Sequence, residues 1–184
     1  MDEQIRRELY DASTQSPVAW LLQADDLRDA AKAVDWLPSD PGSIAAQGSM
    51  VVYRLLMSLS LENLLKGIVV AHRIRSGEED FLKGVYTHRL EKLAEAAAAY
   101  GVIFTYEELE ALAQATPFIE WAGRYPFPKF EREYGVRAHG SAAHEIEIRL
   151  WERLFAHLKE IAWASKGVEG SEGWYFLPSR GSNV

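Results

Sequence analysis

Met50-Val51-Val52-Tyr53-Arg54-Leu55-Leu56-Met57-Ser58-Leu59-Ser60-Leu61-Glu62-Asn63-Leu64-Leu65-Lys66-Gly67-Ile68-Val69-Val70-Ala71 is the most apolar stretch of the chain. Its aliphatic residues, among them Val51, Leu55, Leu59, Leu64 and Ile68, cover most of a helix circumference. A helix that is apolar nearly all round is a buried one. Arg54, Glu62 and Lys66 interrupt it, and charges are costly in hydrocarbon, so the pattern predicts the central helix of a bundle and not a membrane span. With its flanks the helix runs from about Ser43 to Arg75. His72, Arg73 and Arg75 stand just before Gly77, where cations complement the helix dipole and glycine can take the left-handed cap.

Helical signals continue on both sides. Ser16-Pro17 has the form of an N-cap followed by a first-turn proline, opening a helix to about Leu37 with Ala19, Leu22, Leu27 and Ala30 to Ala33 on its apolar face. A third helix is expected over Thr87 to Tyr100, with Thr87 as its N-cap and Leu90, Leu93, Ala94 and Ala97 as its stripe. Thr105 and Glu108 form a capping box for a fourth, which carries Leu109, Leu112, Phe118, Ile119 and Trp121 and which Pro117 should kink or split. The stretch Arg124 to Gly140 is punctuated by prolines and glycines. A last helix begins near Ser141, with Ile148, Trp151, Leu154, Phe155, Leu158 and Ile161 on one face. No strand pattern is present. The expected fold is all-α, an up-and-down helical bundle forming one domain over 1–184, with a core of about 16–166 and a tail over 167–184. The tail's aromatic knot, Trp174-Tyr175-Phe176, is expected to dock on the body or on a second subunit.

Composition narrows the function. The chain has 184 residues, 48% hydrophobic and 26% charged, so a folded body can bury roughly 70% of its unfolded surface. Twenty lysines and arginines against 27 acidic residues leave a net charge of −7, which argues against bulk nucleic-acid packaging and anionic membranes. There is no cysteine, which excludes disulfides, thiolate metal sites and cysteine nucleophiles. The polar start Met1-Asp2-Glu3-Gln4 is unlike a signal peptide, and a cytoplasmic location is expected.

The most informative polar feature lies inside the apolar stretch. Arg54, Ser58, Glu62 and Lys66 recur every four residues and make one ribbon along the helix. Buried charges need partners. Glu62 and Lys66 can pair with each other, and His88 and Arg124 are further candidates. Such a ribbon is either a salt-bridge network fixing helix register or the floor of a nucleotide or phosphate pocket.

Three segments carry a resemblance. Leu61-Glu62-Asn63-Leu64-Leu65-Lys66-Gly67, then Thr87-His88-Arg89-Leu90, then Trp121-Ala122-Gly123-Arg124-Tyr125-Pro126 are similar in order and spacing to the signatures of HEPN-domain proteins. The resemblance spans about Ser43 to Pro128. It implies a HEPN-like bundle of the nucleotidyltransferase substrate-binding-domain type that forms homodimers. It implies binding of nucleotide, RNA or a partner protein beside nucleotidyltransferases, or in defence and toxin–antitoxin systems, with Glu62, Lys66, His88 and Arg124 as the shared polar cluster; Arg54, on the same ribbon, joins them as a candidate ligand-binding residue. No cofactor or membrane is implied.

The ribonuclease branch of that family is marked by an arginine and a histidine a few residues apart, and Arg137 and His144 have such a separation. Histidine there would move the 2′-hydroxyl or leaving-group proton while arginine stabilises the phosphorane, without metal. His139 is the alternative base, Ala138 stands where active members carry a polar residue, and Gly140 lies between the two. Nearby, Arg124, Lys129, Arg132 and Arg137 interleave with Tyr125, Phe127, Phe130 and Tyr134, either as stacking platforms for a single strand or as rings packed on the bundle. His139, His144, Glu145 and Glu147 lack a recognised metal-ligand spacing. A binding module, a ribonuclease and a purely structural dimer module are thus the functions the residues allow.

Overall fold

The computed structural model describes residues 3–7, 16–34, 44–122 and 141–164. Besides a short helical stretch at 3–7, these form α1 (Pro17–Ala33), α2 (Ile44–Arg75), α3 (Leu90–Ala98), α4 (Tyr106–Pro117), a π-helical turn (Phe118–Ala122) and α5 (Ser141–Ala164). The described residues contain no strand, and the architecture is an all-α bundle. Every other main element packs on α2, while α5 also touches α1 and α4. Leu61, Leu64, Leu65 and Ile68 are completely buried. The stretch Gly48–Arg75 is long and apolar enough to cross a membrane, but 72% of its apolar 18-residue window is buried inside the bundle, as in a core helix.

The ends of the helices follow from local chemistry. Ser16 Oγ accepts from the Ala19 amide at 3.4 Å. Thr105 and Glu108 satisfy each other's backbone amides in the expected capping box. At the end of α2, Gly77 adopts φ +73°, its amide donates to the Ile74 carbonyl, and the Glu78 amide donates to that of Arg73. This is the left-handed cap that only glycine adopts without strain. The Arg73 side chain bonds the Phe81 and Lys83 carbonyls, so it holds the following turn.

Several expectations shift by a residue. The face α1 buries is Val18, Leu21, Ala24 and Ala31, not Ala19, Leu22 and Ala30. Weak amphipathicity left that phase open. The stripe of α5 begins at Glu147 and continues through Leu150, Trp151, Leu154 and Leu158, leaving Ile148 half-buried. Leu109 is exposed, because the capping box fixes the rotation of α4 so that Ala111, Leu112 and Ala115 face inward. Helix α3 starts at Leu90 and not at Thr87: the Leu90 amide donates to Thr116 Oγ1 at 3.0 Å, a cap supplied by α4. Thr87 instead accepts from the Arg89 amide. Pro117 ends α4, and the chain continues as the π-helical turn.

Three helices meet at Gly67. A Cβ there would lie 2.7 Å from Leu158 Cδ2 on α5 and 2.8 Å from Trp20 Cβ on α1. Gly67→Ala should therefore lower stability by about 1–3 kcal/mol through overpacking, a cost readable as a fall in the urea midpoint. Close by, Ser60 Oγ donates to the Ala24 carbonyl and accepts from Trp151 Nε1 at 2.6 Å, joining the same three helices.

Candidate functional site

The four residues of the ribbon on α2 are all buried, with Arg54 5%, Ser58 1%, Glu62 5% and Lys66 7% exposed. Their burial follows from the crowding of α2, which leaves no solvent-facing side at this level. Lys66 Nζ donates to Glu62 Oε1 at 2.5 Å. His88 Nδ1 lies 3.1 and 3.2 Å from the two Glu62 oxygens. A carboxylate only accepts, so Nδ1 carries the hydrogen and Nε2 is turned over to other partners. The His88 side chain is 55% exposed while Glu62 beneath it is 6% exposed. It is the outward member of a buried triad. The cap from Thr116 fixes the start of α3 and so sets the extended 87–89 segment over Glu62.

The other end of the ribbon engages α5. Arg54 Nη1 donates to Glu147 Oε2, and both side chains are almost fully buried. Among the described residues the pair is incompletely satisfied: Arg54 Nε and Nη2 and Glu147 Oε1 find no hydrogen-bond partner there. The Arg54 guanidinium lies over the Phe118 ring, 5.1 Å from its centroid. Ser58 Oγ donates back to the Arg54 carbonyl at 2.7 Å. One residue before Arg54, the Tyr53 hydroxyl is 3.4 Å from His144 Nδ1, with the rings edge to face.

Burial dominates the protonation behaviour here. Desolvation, and then the charge of Glu147, push the Tyr53 hydroxyl up to about 12. Desolvation and then the Arg54 cation hold His144 below the usual histidine value. Glu147 is pushed up by burial to about 7, against the opposing pull of Arg54. At neutral pH His144 is consequently a neutral imidazole beside a neutral phenol.

Of the expected site residues, the structure brings Glu62, Lys66 and His88 into one cluster and places Arg54 two turns away beside His144. Arg124, Arg137, His139, the aromatic loop and the aromatic tail lie outside the described residues. Two participants were not singled out from the sequence as parts of a site, Tyr53 and Glu147. The signal for Glu147 was present, because it stands one turn before Leu150 and Trp151 on the apolar stripe of α5. An acid in such a register needs a buried cation, and Arg54 was the unassigned one.

Two other polar features stand apart. A cleft of about 370 Å³ is lined by Thr105, Glu107, Glu108, Ile146, Arg149 and Arg153, but Glu107 and Arg149 are exposed and Arg153 is already paired with the partly buried Glu108. His72 and His157 face each other with Nε2 atoms 3.5 Å apart, and His72 stacks on Tyr100. Among the described residues no group of three or more histidine, aspartate or glutamate side chains is arranged to hold a metal ion. Comparison with known protein families, curated proteins and solved structures returned no match.

Proposed function

We propose that the chain is a HEPN-like helical module that binds a nucleotide or RNA through the His88 end of the ribbon. The observation that carries this reading is the half-exposed His88 seated on the buried Glu62–Lys66 couple. A register-fixing ion pair has no need of a third, solvent-facing member. Glu62 orients the His88 ring, so its Nε2 presents to a ligand a single fixed acceptor, or a donor once the ring is protonated. The three motifs that resemble HEPN proteins place Glu62, Lys66 and His88 in the shared polar cluster, with Arg124 to supply positive charge. A cytoplasmic homodimer acting beside a nucleotidyltransferase or in a defence or toxin–antitoxin setting completes the proposal.

Isothermal titration of the full chain with ATP, AMP and single-stranded oligoribonucleotides tests it. Saturable binding should be weakened about tenfold or more in His88→Ala, with the melting temperature nearly unchanged because that side chain is exposed. Binding indifferent to His88→Ala would remove this face from the site. Absence of binding to every nucleotide and RNA would favour the purely structural dimer module.

One observation favours a second reading, a metal-independent ribonuclease with His144 as base and Arg137 as phosphorane stabiliser. His144 is held neutral by burial and by Arg54, which is the protonation state a general base requires.

A further inference from the structure

We propose that the Arg54–Glu147 contact is a proton-operated joint between α2 and α5, in which uptake of a proton by Glu147 tightens the first turns of α5 onto α2. The inference concerns the other end of the ribbon and does not depend on what binds at His88.

Its basis is geometric. Glu147 is 2% exposed and, among the described residues, has one hydrogen-bond donor and leaves Oε1 without a partner. A carboxylate in that setting is poorly solvated, whereas a carboxylic acid gives up far less on burial. Arg54 stays charged at any relevant pH and keeps the Phe118 ring as a second source of stabilisation when the carboxylate is gone. The charged and titratable groups facing the pair are few among the described residues. Tyr53 from α2 keeps its proton, and His144 on α5 lies one turn before Glu147. From α1, Arg28 bears on Tyr53 but is already bonded to Glu152 at 3.1 Å. Phe118 and Ile119, buried on the π-helical turn, carry no titratable group.

The sign follows from linkage. In the closed joint Glu147 binds its proton up to about pH 7, against 4.5 for an ordinary glutamate in the opened state. The closed form therefore holds more protons between these values, so closure is favoured below them and is lost as pH rises through the upper one. With those two values the opening equilibrium rises about tenfold between pH 6 and pH 8. His144 acts in the opposite sense. Its lowered value makes the closed form bind fewer protons, so acid below the ordinary histidine range loosens the joint. Below the ordinary histidine value the two titrations therefore oppose each other.

Hydrogen exchange of the backbone amides of 147–151, expressed as protection factors across pH 6 to 8, reads the joint. The measurement is made on the full chain carrying His144→Asn, which removes the opposing titration. Protection should fall about tenfold over that range. Glu147→Gln, which mimics the protonated acid, should abolish the pH dependence and give higher protection than its parent at pH 8. A pH dependence that persists in Glu147→Gln, or lower protection at pH 8, would overturn the joint. In the unsubstituted protein the ¹³C resonance of the Glu147 carboxyl should titrate near neutrality. This reads the joint independently of how Glu147→Gln folds, and a midpoint below pH 5 would overturn it.

Discussion

Replacing Glu62 by alanine should cost the protein about 3–5 kcal/mol of stability, because it strands the Lys66 ammonium in the core. Lys66 is 7% exposed and donates to Glu62 at 2.5 Å, so loss of the carboxylate leaves a buried cation without its counterion. Urea titration should show the midpoint falling with little change in slope. A double replacement by apolar residues of similar volume, Glu62→Leu with Lys66→Met, should cost clearly less than Glu62→Ala alone, since no charge is then left unpaired. An unchanged midpoint in Glu62→Ala would mean that the triad is wet and that its burial has no energetic consequence.

The second large effect belongs to the ribonuclease reading. RNA cleavage by the purified chain should fall roughly 10²–10⁴-fold in His144→Ala, the usual contribution of a general base. His144 is only half-buried, edge to face with Tyr53, so the variant should still fold. Activity should survive a metal chelator, and an all-deoxy version of a cleaved oligonucleotide should stay intact because the 2′-hydroxyl is the nucleophile. His139→Ala should retain wild-type activity if His144 is the base. The reverse result would transfer the role to His139. Equal RNA decay in wild type and both variants would eliminate the ribonuclease reading and leave the binding module.

Much of the bundle was legible because hydrophobic periodicity and capping chemistry are local. The stripe of α3, Leu90, Leu93, Ala94 and Ala97, is buried as its spacing predicts, and the box of Thr105 and Glu108 fixes the start of α4. Ala19 and Ala30 misled because alanine serves both faces of a helix, so the phase of α1 depends on what α2 presents to it. The start of α3 was misplaced for a different reason. Its cap is Thr116, 26 residues away in sequence, and no local pattern announces a hydroxyl delivered by another helix.

Legibility at the site divides along the same line. The Glu62–Lys66 pair is an i,i+4 contact within one helix, so spacing alone suggests it. Arg54 and Glu147 are separated by 93 residues, and only the tertiary crossing of α2 and α5 makes them neighbours. Glu147 also reads from spacing as a poor metal ligand beside His144. The structure gives it a cation as partner.

The proposed ligand site depends most on His88 as the outward member of the buried triad. An NMR titration of the histidine ring resonances with the tightest-binding nucleotide or oligoribonucleotide measures this directly. The His88 ring and the amides near Glu62 and Lys66 should shift together and saturate at one ligand concentration, while the rings of His72 and His157 stay in place. Shifts confined to His72 and His157, with His88 unmoved at saturation, would contradict it.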